Sequence, residues 1–114
     1  VLTSVTITGS FVDPDSSEPR TISGTATLSQ RLVNGTQIVE PEPVAFQGNA
    51  SGQVVNLSGL ALTLVAVDDT GTEPKTAYYT FAITVDSAPL DPFTAVISHT
   101  SGTVDLSTLM PVMP

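Results

Sequence analysis

The chain has no cysteine and no tryptophan, and its only strong cations are Arg20, Arg31 and Lys75. Without cysteine there is no disulfide framework, no thiolate chemistry and no zinc knuckle. Set against eleven Asp and Glu, the three cations leave a formal net charge of −8. That balance works against binding a phosphate backbone, which draws its affinity from clustered Lys and Arg, so nucleic acid is not an expected partner. A membrane is not expected either. No polybasic or amphipathic helical stretch is present to hold an anionic surface, and no run approaches the about 18 apolar residues of a membrane span. The first residues, Val1-Leu2-Thr3-Ser4-Val5, lack the basic and continuous apolar regions of a signal peptide. Helical periodicity is missing as well: no segment of about ten residues repeats apolar positions at a spacing of 3.6.

What the chain does contain is small hydroxyls. Seventeen Thr and twelve Ser stand among 114 residues. β-branched Thr suits the pleated, half-exposed face of a sheet and keeps it wettable without charge. A hydrophobic fraction of 40% beside 12% charged residues separates the chain from disordered acidic tails. Its 114 residues fit one domain, spanning 1–114, that buries roughly two thirds of its unfolded surface.

Period-two alternation runs through most of the sequence. Val5, Ile7, Gly9 and Phe11 alternate with Thr6, Thr8, Ser10 and Val12, and the strand stops at the Asp- and Pro-rich connection 13–19. Ile22, Gly24, Ala26 and Leu28 form a second apolar face, whose small residues predict close sheet packing or an edge. Asn34-Gly35 carries the type I′ hairpin signal between Val33 and Thr36, so the flanking strands should pair antiparallel. Short strands follow at Val44-Ala45-Phe46 and Val54-Val55-Asn56-Leu57. Leu60, Leu62, Leu64 and Ala66 share one face, and Ala61 and Val65 make the other face apolar too, which predicts a core strand covered on both sides. Beyond a second acidic loop from Asp68 to Lys75, Tyr79, Phe81, Ile83 and Val85 alternate cleanly. Phe93, Ala95 and Ile97 alternate next, Thr103-Val104-Asp105-Leu106 is short, and Ser107-Thr108-Leu109 can cap one helical turn. The expected fold is all-β: a single antiparallel sandwich, immunoglobulin-like or related, of about seven to nine short strands, with an apolar tail from about 106 to 114.

Candidate chemistry is sparse. Asp13, Asp15 and Glu18 could converge with Asp68, Asp69 and Glu73 on a Ca²⁺ ion, which takes six to eight oxygens, but they equally serve as solvated strand terminators. His99 is the one imidazole. A Ser-His-Asp arrangement would pair it with Asp105 or Asp91, yet no Gly-x-Ser-x-Gly elbow accompanies it, and a surface turn with Thr100, Ser101 and Gly102 is the plainer expectation. Of the adjacent Tyr78 and Tyr79 one must point outward, either as an interface anchor or as ordinary half-exposed strand packing. Asn34-Gly35-Thr36, Asn49-Ala50-Ser51 and Asn56-Leu57-Ser58 match the glycosylation triplet, the first two reading as turns. No catalytic constellation, metal set or cofactor motif emerges, and the chain is not expected to be an enzyme.

Three stretches carry a family likeness: Val5-Thr6-Ile7-Thr8-Gly9-Ser10-Phe11-Val12-Asp13-Pro14-Asp15, Tyr78-Tyr79-Thr80-Phe81-Ala82-Ile83-Thr84-Val85, and Gly102-Thr103-Val104-Asp105-Leu106-Ser107-Thr108-Leu109. Together they resemble the small all-β modules in virion proteins of tailed bacteriophages of actinobacteria. The likeness covers both ends and skips Gln30 to Ser58. It implies an outer structural part of a virion: a head decoration protein docking on the assembled shell, or a module of a tail fibre or minor tail protein. A fibre module would continue into a shaft, so a chain finishing at Met113-Pro114 places head decoration first. A secreted adhesin or carbohydrate-binding sandwich is the rival. The implied partners are the major capsid protein or other virion proteins, with self-association a further option. The expected docking elements are an edge strand open to β-augmentation, Tyr78, and the apolar tail with Leu106, Leu109, Met110, Val112 and Met113, unless that tail folds back over the domain's own core.

Overall fold

Residues 2–11, 18–74, 76–100 and 102–106 are described by the computed structural model. Twelve strands occur among them: β1 (Ser4–Thr8), β2 (Ile22–Leu28), β3 (Leu32–Asn34), β4 (Gln37–Val39), β5 (Pro43–Gly48), β6 (Val54–Asn56), β7 (Leu62–Val65), β8 (Thr72–Glu73), β9 (Tyr79–Val85), β10 (Ala88–Pro89), β11 (Phe93–Ala95) and β12 (Thr103–Asp105). They form an all-β, sandwich-like fold. The count exceeds seven to nine because turns and a bulge cut longer alternating segments into pieces of two or three residues. A smaller sheet has the order β12-β1-β7, a larger one β10-β9-β2-β5-β6 with β11 also on β9, and β4-β3-β8 forms a third.

The first and last strands lie side by side. β1 pairs parallel with β12, with Ile7 opposite Val104, and antiparallel with β7, with Ile7 opposite Leu62. All other pairings are antiparallel. Past Gly9 the chain leaves the smaller sheet and runs along β6. The Val54 N–H donates to the Gly9 carbonyl at 2.9 Å, and the Phe11 N–H to the Gly52 carbonyl at 3.0 Å. One continuous segment therefore ties both sheets together.

Alternation dictates which side chains meet between the layers. Val5 and Ile7 from β1, and Leu62 and Leu64 from β7, are buried against Ile22, Ala26, Leu28, Phe46, Tyr79, Phe81 and Ile83 of the larger sheet. Phe81 stacks on Phe93 with centroids 5.2 Å apart. Gly24 sits at the tightest point of this layer, opposite both Phe46 and Ile83. A Cβ there would lie 2.5 Å from the Ala82 carbonyl oxygen and 2.7 Å from Phe46 Cζ, so the small residues of β2 do mark close packing, in mid-sheet.

Several expectations need correction. The strand around Leu62 is not covered on both sides. Leu62, Leu64 and Ala66 face the core, but Leu60 is 67% exposed and Ala61 is exposed too. β7 is an edge strand with one dry face. The hairpin at Asn34 is shifted by one residue: Asn34 pairs with Gln37, so the turn is Gly35-Thr36. Gly35 alone has positive φ, at 60°, as a type II′ turn requires. The type I′ signature instead occurs at Asp86-Ser87, with φ of 50° and 68°, between β9 and β10. The proposed turn at Ser107-Thr108-Leu109 lies outside the described residues.

The outer edge of the larger sheet is a single strand broken once. From Pro89 to Phe93 β10–β11 advances four residues, while β9 advances three, from Thr84 to Phe81. The extra residue is a β-bulge flanked by Pro89 and Pro92, and these features blunt an edge against further pairing. Replacing Gly24 with Val is expected to lower folding stability by about 1–3 kcal/mol through overpacking. Gly102→Ala, whose Cβ would meet nothing within 4 Å, should stay within about 0.5 kcal/mol of wild type. Urea denaturation of both variants checks this.

Candidate functional site

The densest polar chemistry among the described residues lies where the chain leaves β7. Ala66 N–H donates to the Thr3 carbonyl and Val67 N–H to the Ile97 carbonyl, and these two bonds bring the chain start and the 97–100 turn onto Asp68 and Asp69. The two carboxylates then grip different segments. Asp69, buried, accepts from the Thr3 backbone N–H at 2.7 Å and the Thr3 hydroxyl at 2.8 Å. Asp68 accepts from Ser98 Oγ at 2.7 Å, the His99 N–H at 2.7 Å and His99 Nδ1 at 2.9 Å. Because a carboxylate only accepts, the imidazole proton facing it is on Nδ1.

This geometry gives His99 a partner that sequence reasoning did not assign. Asp105 lies in β12 and Asp91 in the bulge, so neither fills the role. Nor do Ser98, His99 and Asp68 form a relay. Nucleophile activation needs the serine hydroxyl to donate to the imidazole nitrogen distal to the acid, whereas here serine and imidazole both donate to one carboxylate. The cluster is a latch joining two loops. Burial raises the Asp68 carboxyl, but the His99 N–H, the Ser98 hydroxyl and the imidazole outweigh it and hold the group down at about 2.

Other charged groups are used in the same way. Arg20 Nε and the Thr21 N–H both donate to Asp86, and the Arg20 bond first among them lowers its carboxyl below the ordinary value. Arg31 reaches Glu40 through Nε at 3.0 Å and a second nitrogen at 3.3 Å. Between the sheets, Tyr79 donates its hydroxyl to the Val65 carbonyl at 2.7 Å, and burial pushes the phenol up to about 12.

The calcium set does not assemble among the described residues, where no group of three or more His, Asp or Glu side chains is placed to share an ion. Asp68 and Asp69 face different partners, and Asp13 and Asp15 lie outside the described residues. Of the expected interface residues, Leu106 is 1% exposed and packs on Gly9, so it belongs to the domain's own core. Leu109, Met110, Val112 and Met113 lie outside the described residues. Tyr78 is 41% exposed; its carbonyl accepts from the Ser29 N–H and its N–H donates to Ser29 Oγ, while Tyr79 is the buried ring of the pair.

None of the three asparagine triplets stands as a free acceptor. Asn34 is 8% exposed and donates to the Thr70 carbonyl and Thr72 Oγ1. Asn49 and Asn56 close two copies of one loop, at either end of β6. In each, the side-chain oxygen accepts from the second and fourth following N–H groups, the Asn N–H bonds the fourth carbonyl, and the third residue, Gly52 or Gly59, has positive φ. The repeated Asn-x-Ser-Gly string at 49–52 and 56–59 was the available signal. No protein-family model, curated protein or solved structure matches this chain.

The latch has a signed pH dependence. The Asp68 group is depressed in the folded state, so its stabilisation is full above the unfolded value near 3.8 and fades as pH falls toward about 2. Asp68→Asn should lose that part of the acid limb in thermal melts between pH 5 and 2. The Tyr79 phenol runs the other way: its contribution is full below the unfolded value near 10 and is lost as pH rises toward about 12. Tyr79→Phe should abolish that alkaline loss and cost about 1–2 kcal/mol at neutral pH by orphaning the Val65 carbonyl, both read from unfolding curves.

Proposed function

We propose that this chain is a structural protein of a phage virion, a head decoration protein that docks on the assembled shell. What supports the reading is the resemblance of three motifs, in order, to those of virion modules, together with the place of their described residues in the fold. Val5-Thr6-Ile7-Thr8 and Thr103-Val104-Asp105 are the two members of the parallel β1–β12 pair, and Tyr79–Val85 is β9, hydrogen-bonded on both sides in the larger sheet. The likeness thus falls on the framework of the sandwich, as expected of modules that share a scaffold and vary in their loops.

The use of the ionisable groups supports the same reading. Asp68, Asp69, Asp86, Glu40, Arg20 and Arg31 all hold the fold's own segments, an economy that suits a brick better than a binding cleft. On a shell the mechanism is multivalent docking. Many copies each bury a modest patch, and they stabilise the assembled lattice by mass action because they bind it and not its free subunits. The net charge of −8 on every copy keeps crowded neighbours apart.

The test is stoichiometry. Virions purified from a lysate and separated into heads and tails should carry the chain on heads in a fixed, high copy number, by quantitative mass spectrometry. Recovery on tails assigns it to a fibre or minor tail protein instead. Recovery only as free protein ends the virion reading.

A further inference from the structure

We infer that the outer face of the larger sheet is a contact surface for a second copy of this chain, an inference that stands whether or not the assembly is a virion. The register defines that face. Thr80, Ala82 and Thr84 of β9 stand opposite Thr27, Thr25 and Ser23 of β2, and all six are exposed or half-buried, whereas the alternate residues of both strands point into the core.

Charge distribution chooses the occupant. Among the described residues, no Asp, Glu, Lys or Arg lies in β2, β5, β6, β9, β10 or β11, and Asp91 stands at the rim, in the bulge between the last two. On the strands themselves an acidic or basic partner would find no counter-charge, so the complementary surface must itself be neutral. A second copy meets that condition. Each chain carries −8, and this face is where two such chains approach with the least repulsion. Threonine and serine hydroxyls both donate and accept, so the surface is self-complementary across a two-fold axis.

The edges of the same sheet point to the face as the mode of contact. The β10–β11 side carries the bulge and two prolines, and the β6 side is covered by Gly9–Phe11. β-Augmentation of this sheet, the expected route from sequence, meets one edge already paired and one broken by the bulge and its prolines. Five strands of up to seven residues present roughly 500 Å² per copy, or about 1,000 Å² in the pair. That is the lower limit of specific interfaces, so the dimer is expected to dissociate between about 10 µM and 1 mM.

Sedimentation equilibrium of the full chain from about 1 µM to 1 mM provides the test. The expected result is a monomer–dimer equilibrium that strengthens as salt rises from about 20 mM to 300 mM, because screening removes the repulsion between two anionic copies. Ala82→Glu and Ala82→Lys, at an exposed position, should each weaken the dimer by about tenfold or more, since either buries an unpaired charge. Thr63→Glu, on the outer face of the smaller sheet, should leave it unchanged once screened by salt. Circular dichroism confirms that each variant folds. A monomer throughout the range, open-ended oligomers, a dimer indifferent to both Ala82 variants, weakening by Glu but not Lys, or equal weakening by Thr63→Glu would each overturn the inference. So would a monomer whose Ala82 variants fail to bind a different virion protein, which would assign the face to that protein.

Discussion

Val5 and Ile7 can be buried only because the backbone beside them is hydrogen-bonded on both sides, to Leu62–Val65 on one and Thr103–Asp105 on the other. An unpaired amide in that position would cost more than the burial of its side chain returns. The same segment then crosses at Gly9 to bond β6. Opening it would uncouple the two layers at once, expose Leu106 and free β12. The most distant contact in sequence is thus also the one that closes the core, which is the situation in which ordering entropy is largest and must be offset cooperatively.

The second organising fact is electrostatic. A chain of net charge −8 and few cations stabilises four of its carboxylates with neutral donors and guanidinium groups alike: backbone N–H groups and hydroxyls at Asp68 and Asp69, guanidinium groups at Asp86 and Glu40. Hydrogen bonds to a charged acceptor are stronger than those between neutral groups. Each acid therefore ties down a loop where strand pairing has ended. On the larger sheet the exposed polar groups of the strands are hydroxyls and amides.

These two facts bear on function together. The first and last of the alternating segments supply the strands that close the sandwich, and Asp68, Asp69, Asp86, Glu40, Arg20 and Arg31 hold the fold's own segments. The surface open to partners includes a broad neutral face, Tyr78, and exposed apolar tips at Leu57, Leu60, Ile38 and Val96. Such a surface suits weak, repeated contact, in which specificity comes from shape and from the absence of mismatched charge rather than from a strong anchor.

Alternation alone was enough to read the strands of Val5–Ile7, Ile22–Leu28 and Tyr79–Val85, their inward faces, and the all-β class, because a period of two assigns each side chain to a face before any partner is known. It could not choose partners. That the first strand meets the last in parallel, that Leu106 turns inward, and that Asp68 rather than Asp105 or Asp91 meets His99 are contacts between distant segments, with no local trace in either one. Leu60 shows the same limit in reverse: its phase matches Leu62 and Leu64, but the Asn56 loop takes it out of the strand and into solvent. The hairpin slipped by one residue because Asn34 is needed inside, bonded to the Thr70 carbonyl and to Thr72 of β8, far along the chain, so the turn moved to Gly35-Thr36. Sequence determined which residues could face the core. Tertiary structure decided which of them did, since only the folded chain settles where every backbone and side-chain polar group finds its partner.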